Sequence, residues 1–245
     1  MPRFAVILAA AGKSSRFRDK HYKKPFAPLD NRAVWLHSAE KFLARKDVEQ
    51  VLIAVADEDL AWFQEKFAAN LMILGVEVVR GGATRAATVR SALEHVRESV
   101  EFIGVHDAAR PCLAESWLDE IFSAAVKHGA AIPAIPVAET LKRVDASGQV
   151  VETVSRDRLW RAQTPQVFRA DWLKEAHARG VDRDATDDAA LVEAVGHPIH
   201  VVEGSPLNIK ITTRTDLTLA AALLKMLPKP KLDRPAHPFA DDLWR

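Results

Sequence analysis

The chain has 245 residues, of which 48% are hydrophobic, 27% are charged and 7% are aromatic. This balance excludes an intrinsically disordered, collagen-like or coiled-coil protein and indicates a soluble globular chain that can bury a sizeable core. The 34 Lys and Arg residues nearly balance the 33 Asp and Glu residues, and no long run of one sign suggests a nucleic-acid-binding surface.

The apolar and cysteine patterns indicate the compartment. The apolar stretch at residues 4–11 is too short to span a bilayer and lacks the flanks of a secretory signal. The single cysteine, Cys112, excludes an intramolecular disulfide and a cysteine-based zinc cluster, and the nine histidines lack metal-ligand spacing. We therefore expect a cytoplasmic protein with no membrane partner and no metal site built from cysteines or histidines.

The first half of the chain alternates short apolar runs with longer segments of helical character. Unbroken apolar runs are typical of strands that are buried on both faces of a parallel sheet. Such runs predict strands at residues 4–8, 51–55, 76–79, 102–105 and 131–135. The segments between them predict helices at residues 34–43, 58–69, 85–97 and 115–128. This order predicts an α/β fold with a mostly parallel sheet flanked by helices.

The pattern changes after Pro136. Residues 140–144 and 149–154 predict two strands around a glycine-containing turn, which form a protruding β-hairpin arm. Helices follow at residues 171–178, 185–195 and 215–227, with a strand at 199–202 and a short extended segment at 208–211. The acidic residues 182–188 are expected to begin a helix, capped by Thr186 or Asp184. Four prolines predict an extended or mobile tail over residues 228–245.

The loop after the first predicted strand carries residues that suit a phosphorylated ligand. Small side chains and Gly12 leave backbone N–H groups open to an anion at the carboxyl edge of the sheet. The loop matches neither a P-loop nor a dinucleotide-binding glycine motif, and by itself it could equally be an ordinary turn. Arg16, Lys23 and Lys24 nearby supply enough positive charge to neutralise a triphosphate.

Two further loops follow predicted strands of the same sheet. In one of them Gly81 and Gly82 allow close backbone approach, and Thr88 could hydrogen-bond a base. In the other, Asp107 could hold a ribose hydroxyl, a magnesium ion or a substrate hydroxyl, whereas we interpret His106 as a satisfied buried imidazole. Because the carboxyl ends of parallel strands meet at one edge, we expect the three loops to line a nucleotide-sized cleft.

Several short blocks of the chain, taken in order, are found together in one enzyme family. They are Ala10-Ala11-Gly12, Arg16, Lys24, Gly81-Gly82, Arg85, His106-Asp107-Ala108-Ala109-Arg110-Pro111, Thr140-Leu141-Lys142, Leu159-Trp160, Thr164-Pro165-Gln166 and Asn208-Ile209-Lys210. With these blocks the chain resembles the 2-C-methyl-D-erythritol 4-phosphate cytidylyltransferases from about residue 4 to about residue 220. The block that begins at His106 and the Thr-Pro-Gln block are the most specific.

The resemblance implies a fold and a reaction. The fold would be one Rossmann-like nucleotidyltransferase domain of type A over residues 1–227, with a dimerisation arm at about residues 137–157 that implies a homodimer. These enzymes transfer a cytidylyl group from CTP to 2-C-methyl-D-erythritol 4-phosphate and release pyrophosphate, in the non-mevalonate route to isoprenoid precursors. The implied partners are these two substrates, and the implied cofactor is Mg²⁺, bound mainly through the CTP phosphates.

The resemblance also implies roles for individual residues. The catalytic cations around the CTP phosphates would be Arg16, Lys24 and Lys210. The contacts to cytosine and ribose would come from Ala10, Ala11, Gly12, Gly82 and Thr88, with Asp107 and Ala108 near the sugar or the acceptor. The acceptor would be bound by Arg110 and, from the neighbouring subunit, by Thr140 and Arg156. Because Lys23 and Lys24 are adjacent, the pattern leaves open which of them is the key lysine.

Three other functions share features with this one. A cytidylyltransferase for another polyol phosphate, such as ribitol 5-phosphate, has the same fold and chemistry, but the methylerythritol acceptor is favoured by Arg110, Thr140, Lys142, Arg143 and Arg156. A transferase for UTP or GTP and sugar phosphates shares the opening loop and needs a different base pocket. A non-catalytic nucleotide-binding or scaffold protein could keep the fold, although the retained cations argue against it.

Overall fold

The computed structural model describes residues 1–17, 19, 22–180 and 185–228. Its strands are β1 (Phe4–Ala9), β2 (Pro28–Leu29), β3 (Arg32–Ala33), β4 (Val48–Val55), β5 (Glu77–Arg80), β6 (Phe102–Asp107), β7 (Ala130–Pro136), β8 (Leu141–Val144), β9 (Val150–Val154), β10 (Trp160–Ala162), β11 (Gln166–Arg169) and β12 (His200–Glu203). Its α-helices are α1 (Val34–Leu43), α2 (Asp57–Lys66), α3 (Ala68–Leu74), α4 (Arg85–Leu93), α5 (Glu115–His128), α6 (Ala170–Arg179), α7 (Asp188–Ala194) and α8 (Arg214–Leu224).

The main sheet has the strand order β10-β7-β11-β6-β1-β4-β5, and β12 pairs in addition with β7. β1 runs parallel to β4 and β6, β4 runs parallel to β5, and β12 runs parallel to β7. β11 is antiparallel to both of its neighbours, β6 and β7, and β10 is antiparallel to β7. The predicted α/β fold with a mostly parallel, helix-flanked sheet is therefore confirmed.

Alternate residues of β1 show why its sequence is an unbroken apolar run. Phe4, Val6 and Leu8 pack into one core with side chains from α1, α2 and α5. Ala5 and Ile7 pack into a second core on the opposite face, together with side chains from α4, α6 and α7. Each fully buried side chain of this size contributes about 1.5–3 kcal/mol, so both faces of the strand must be apolar.

Some predicted elements differ from the structure. The helix predicted at residues 58–69 is two helices, α2 and α3, because the chain leaves helical geometry at Phe67 with φ −111° and ψ 16°. The Phe67 ring is buried and packs on the edge of Trp35, which fixes it towards the core. The segment 208–211 is a loop, and the N–H of Ile211 donates to the carbonyl of Ala109.

The ends of three helices also differ from the predictions. α4 ends at Leu93, four residues early, and α8 ends at Leu224. α7 begins within the acidic segment as expected, but its cap is Asp187, whose carboxylate accepts from the N–H of Ala190. Asp184 and the tail beyond residue 228 lie outside the described residues. Among the described helices, none has both the length and the hydropathy that a membrane crossing requires.

The predicted hairpin forms a sheet of its own. β8 and β9 pair only with each other among the described strands, in antiparallel register from Leu141 opposite Val154 to Val144 opposite Val150. Val144, Val150 and Val151 are each more than half exposed. The arm therefore presents apolar side chains that no described part of the same chain covers.

Candidate active site

The three loops that the sequence predicts to converge line one cavity of about 200 Å³ at the carboxyl ends of β1, β5 and β6. This edge of a parallel sheet is the usual ligand site of open α/β folds. Of the residues expected to bind substrate, those that line the cavity are Ala11, Gly12, Lys24, Gly82, Thr88, Asp107 and Lys210. They come from segments as far apart as residues 11 and 210, so folding alone brings them together.

Three further expected residues lie around the cavity. Ala10 and Ala108 are buried beneath it, where their N–H groups donate to the carbonyls of Ala54 and Ala9. Arg16 is exposed and lies close enough to Lys24 to lower the pKa of that lysine. Ala10 and Ala108 therefore hold the strand ends in place and contribute no side chain to the cavity wall.

The three expected acceptor contacts occupy two different places. Arg110 is next to the cavity, with its Nε 3.3 Å from Oδ2 of Asp107. Thr140 and Arg156 are exposed and belong to the arm, where Arg156 donates to the carbonyl of Ala138. Among the described residues of the single chain, Thr140 and Arg156 do not line the cavity.

The two adjacent lysines have different surroundings. The Nζ of Lys23 lies 2.8 Å from Glu58 and 2.6 Å from Asp59, both on α2. Burial would lower the pKa of Lys23, but these two carboxylates outweigh it and raise the pKa. Lys24 lines the cavity, and its backbone N–H donates to Oγ of Ser14 in the first loop. Lys24, and not Lys23, therefore faces the candidate site.

Burial lowers the pKa of the Lys24 amine, and the positive charges of Lys210 and Arg16 lower it further. Lys24, Lys210 and Arg16 therefore lie close enough to one another for their positive charges to interact. Such a cluster attracts a polyanion, since a bound phosphate group removes the repulsion among the cations.

Asp107 is a carboxylate of the cavity that three cationic side chains contact. Its Oδ2 lies 2.8 Å from Nζ of Lys210 and 3.3 Å from Nε of Arg110, and its Oδ1 lies 3.6 Å from Nε of Arg85. Burial would raise the pKa of Asp107, but these three cations outweigh it and hold the pKa well below its usual range. Asp107 is therefore ionised at any physiological pH.

The glycine loop is packed too tightly for larger residues. A Cβ on Gly81 would lie 2.5 Å from Cβ of Ala11, and a Cβ on Gly82 would lie 2.5 Å from Cβ of Ala87. Oγ1 of Thr88 accepts from the N–H of Gly82 at 3.1 Å and donates to the carbonyl of Thr84 at 2.8 Å. The glycine loop is thus fixed close to the first loop. The hydroxyl of Thr88 donates its proton to the protein backbone and not to a ligand.

His106 is the buried, satisfied imidazole that the sequence suggested. Its Nε2 lies 3.0 Å from the carbonyl of Arg110, which can only accept, so Nε2 carries the proton of the neutral ring. Its Nδ1 then accepts from the hydroxyl of Thr164 at 3.1 Å, and that oxygen accepts from the N–H of Asp107 at 3.1 Å. Burial lowers the pKa of His106 to about 4, so the ring is neutral and positions the backbone of Asp107.

We expect His106 to make the protein less stable in mild acid. The unfolded chain has a histidine pKa near 6.5 and the folded chain one of about 4, so between these values the unfolded chain binds more protons. The free energy of unfolding should fall by about 2 kcal/mol more in the parent than in His106→Gln when the pH drops from about 7.5 to about 5. Urea unfolding at both pH values measures this difference, and equal losses would contradict the assignment.

Some residues of the site have no role in the sequence-based interpretation. Nη1 of Arg110 donates to the carbonyl of Asn208 at 2.7 Å, and Nδ2 of Asn208 donates to the carbonyl of Thr164 at 2.9 Å. Asn208 thereby fixes the loop that carries Lys210. Asn208 and Thr164 belong to the blocks that carry the family resemblance. Their place in those blocks is the sequence signal that could have indicated a structural role for them. For Asp188, which binds Arg85, the acidic segment was the only signal.

The comparisons with known proteins agree with this geometry. A family model described as 2-C-methyl-D-erythritol 4-phosphate cytidylyltransferase matches residues 4–226. The protein of that name from Rhodopirellula baltica is 43% identical over 231 residues, which cover 90% of this chain and 94% of that protein. The one from Dechloromonas aromatica is 40% identical over 230 residues, which cover 92% and 99%.

A solved structure gives the same result. The crystal structure of 2-C-methyl-D-erythritol 4-phosphate cytidylyltransferase from Thermus thermophilus superposes with a TM-score of 0.74 at 33% identity. The match covers 92% of this chain and all of that one. Sequence and structure thus agree over nearly the whole length of both chains. The chain therefore belongs to the 2-C-methyl-D-erythritol 4-phosphate cytidylyltransferase family.

Proposed function

We propose that this protein transfers a cytidylyl group from CTP to 2-C-methyl-D-erythritol 4-phosphate, releasing pyrophosphate, as a step in the non-mevalonate synthesis of isoprenoid precursors. Its family and the names of its relatives support this reaction. The observation that carries the proposal is the cavity in which Lys24 and Lys210 face the glycine loop. The two lysines supply positive charge for phosphate groups, and the glycine loop lets a flat base approach the backbone closely.

The reaction requires charge neutralisation more than acid–base chemistry. A phosphate oxygen of the acceptor attacks the α-phosphorus of CTP in line with the bond to the leaving pyrophosphate, so two anions must meet. The acceptor phosphate is already ionised at neutral pH and needs no strong general base. The chain's contribution is therefore a set of fixed cations, which stabilise the charge that builds up in the transition state.

Lys24, Lys210 and Arg16 are the residues we assign to this task. Lys24 and Lys210 line the cavity, and Lys24 is partly desolvated, which strengthens its attraction for a phosphate. Arg16 extends the positive field from the exposed side of the first loop. We assign the cytosine and ribose to Ala11, Gly12 and Gly82, whose backbone lines the cavity, and Thr88 holds the glycine loop in place.

We propose Mg²⁺ as the cofactor, bound mainly by the CTP phosphates. Asp107 supplies the one carboxylate among the described residues that line the cavity, and its depressed pKa keeps it ionised. Magnesium commonly uses one or two carboxylates with phosphate oxygens and retained waters, so this donor set fits the ion. When bound, the ion neutralises charge on the triphosphate and favours departure of pyrophosphate.

We also propose that the protein is a homodimer joined through the arm. A two-stranded hairpin is marginally stable in isolation, and the valines of β8 and β9 are exposed, so a partner surface would stabilise the arm. Thr140 and Arg156 would then contact the acceptor phosphate in the partner's cavity, with Arg110 on the near side. This arrangement explains why the arm carries acceptor residues that its own cavity lacks.

Two further assignments follow from the sequence. We propose a single nucleotidyltransferase domain that ends near residue 227, in line with the family match to residues 4–226. We place the protein in the cytoplasm, because its single cysteine is typical of chains from reducing compartments. Burial raises the pKa of the Cys112 thiol to about 12, so this cysteine is unreactive.

The proposed reaction can be tested with a panel of substrates. Pyrophosphate release is followed with Mg²⁺ and CTP, UTP or GTP in combination with 2-C-methyl-D-erythritol 4-phosphate or ribitol 5-phosphate. We expect the CTP and methylerythritol pair to react with a kcat/KM at least about tenfold above any other pair, since a wrong base or acceptor leaves buried polar groups unpaired. Equal or faster turnover with UTP or with ribitol 5-phosphate would overturn the assignment, and CTP binding without turnover would indicate a non-catalytic protein.

A further inference from the structure

A chain of ion pairs and hydrogen bonds connects the nucleotide cavity to the helices α6 and α7 behind it. Asp188, the first residue of α7, is fully buried, and its Oδ2 accepts from Nη1 of Arg85 at 2.6 Å. Its Oδ1 faces Nε2 of His177, on α6, at 3.0 Å. Arg85 begins α4 and reaches Asp107 with its Nε at 3.6 Å. The order of contacts is therefore His177, Asp188, Arg85 and Asp107.

The backbone of Asp188 is fixed by hydrogen bonds to the side chain of Gln166. Oε1 of Gln166, on β11, accepts from the N–H groups of Asp188 and Ala189, each at 3.2 Å. Nε2 of the same glutamine donates to the cap residue Asp187 at 2.7 Å. Since β11 pairs directly with β6, which ends in Asp107, Asp188 and Asp107 are fixed by adjacent strands.

The electrostatics shows why both partners of Asp188 are needed. Burial would raise the pKa of Asp188, but Arg85 and His177 outweigh it and lower the pKa, so the buried carboxylate is charged. A buried charge is tolerated only when it is paired and hydrogen-bonded. Burial would likewise lower the pKa of Arg85, but Asp188 and Asp107 raise it. Arg85 is therefore divided between two carboxylates, with the shorter contact to Asp188.

This division matters because Arg85 lines the nucleotide cavity. Its Nη2 is buried and has no hydrogen-bond partner among the described residues, so the guanidinium has an unused donor. Without the charge on Asp188, Arg85 would pair more closely with Asp107 and compete with Lys210 for it. Asp188, the other partner of Arg85, does not itself line the cavity.

We propose that Asp188, with His177 behind it, is a positioning residue that draws Arg85 to itself, limits the contact between Arg85 and Asp107 to 3.6 Å and so preserves the nucleotide site. The inference rests on the proposed function, because it concerns CTP binding in the same cavity. It predicts that the loss of Asp188 weakens the binding of CTP more than the binding of the acceptor.

The first test uses Asp188→Asn, which keeps the shape of the side chain and removes its charge. We expect KM for CTP to rise about tenfold, while KM for 2-C-methyl-D-erythritol 4-phosphate changes less than about twofold, because the displaced groups belong to the nucleotide wall. Calorimetry with Mg²⁺ and CTP alone should give the same loss of affinity. Thermal unfolding identifies variants that fail to fold.

Glu175→Gln provides a matched control. Glu175 also lies between a histidine and an arginine, with Oε2 2.9 Å from His197 and Oε1 2.6 Å from Arg179, but it is partly exposed and outside the cavity lining. The same change of charge there should leave both KM values within about twofold of the parent. A rise in KM for CTP in this control equal to that in Asp188→Asn would overturn the proposal, because the effect would then be a general one.

Variants of His177 test the proposal even where Asp188→Asn does not fold. His177→Gln keeps an N–H donor for Oδ1 of Asp188 and should retain CTP affinity, whereas His177→Leu removes it and should weaken CTP binding about threefold. Equal CTP affinity in the two His177 variants, or an unchanged CTP affinity in folded Asp188→Asn, overturns this inference and leaves the proposed function intact. Absence of turnover in the parent protein overturns the proposed function instead.

Discussion

Lys24→Ala is expected to lower kcat for cytidylyl transfer by a factor of about 10² to 10³, with a smaller effect on KM for CTP. The loss of one fixed donor to a developing negative charge costs about 3–4 kcal/mol of transition-state stabilisation. Lys24 faces the cavity and is desolvated there, so water does not replace it well. Steady-state pyrophosphate release at saturating concentrations of both substrates measures the effect.

Lys23→Ala is the matched control because it removes the same side chain one position earlier. Lys23 is paired with Glu58 and Asp59 on α2, so its loss should cost some stability and leave kcat within about threefold of the parent. If Lys24→Ala retained turnover within tenfold of the parent, or if the two variants were equally impaired, the assignment of the catalytic lysine would be wrong.

A mixture of two inactive variants should recover activity if the arm completes the partner's site. Lys24→Ala damages the cavity and Arg156→Ala damages the arm, so a mixed dimer has one site with both defects and one intact site. Random pairing makes about half of the dimers mixed, and the mixture should therefore show about a quarter of the parent activity. Pyrophosphate release from the co-expressed, differently tagged subunits measures this recovery.

The control mixture combines Lys24→Ala with Lys210→Ala. Both residues line the same cavity, so every site in a mixed dimer carries one defect and no activity should return. Recovery in the control, or none in the test mixture, would contradict a cross-subunit acceptor site. Sedimentation of the unmixed proteins establishes whether each variant still forms dimers.

Much of the fold was predictable because its central strands are buried on both faces. The run in β1 must be apolar at every position, and the amphipathic helices at Val34–Leu43 and Glu115–His128 have the predicted bounds. The sequence pattern does not predict β10 and β11, because these strands have only three and four residues and the polar Arg161, Gln166 and Arg169 leave no apolar run in either. The break at Phe67 was missed because it depends on the packing of a ring against distant aromatic residues.

The site was predictable where it depends on loops after strands. Glycines and charges at strand ends indicate a ligand at the sheet edge, and these loops do line one cavity. The choice between Lys23 and Lys24 depends on the acids of α2, about 35 positions away, and no local pattern contains it. The pairing of Arg85 with Asp188 spans 103 positions and likewise appears only when α4 and α7 meet.

The arrangement around Asp107 has a consequence for substrate exchange. Before CTP arrives, the carboxylate of Asp107 serves as a built-in counter-ion for Lys210, Arg110 and Arg85. If these cations bind CTP as proposed, the arriving triphosphate replaces Asp107 as their ionic partner, and the loss of the Asp107 contacts offsets part of the attraction. On the same proposal, Asp107 would favour the release of pyrophosphate, because these cations can pair with its carboxylate again.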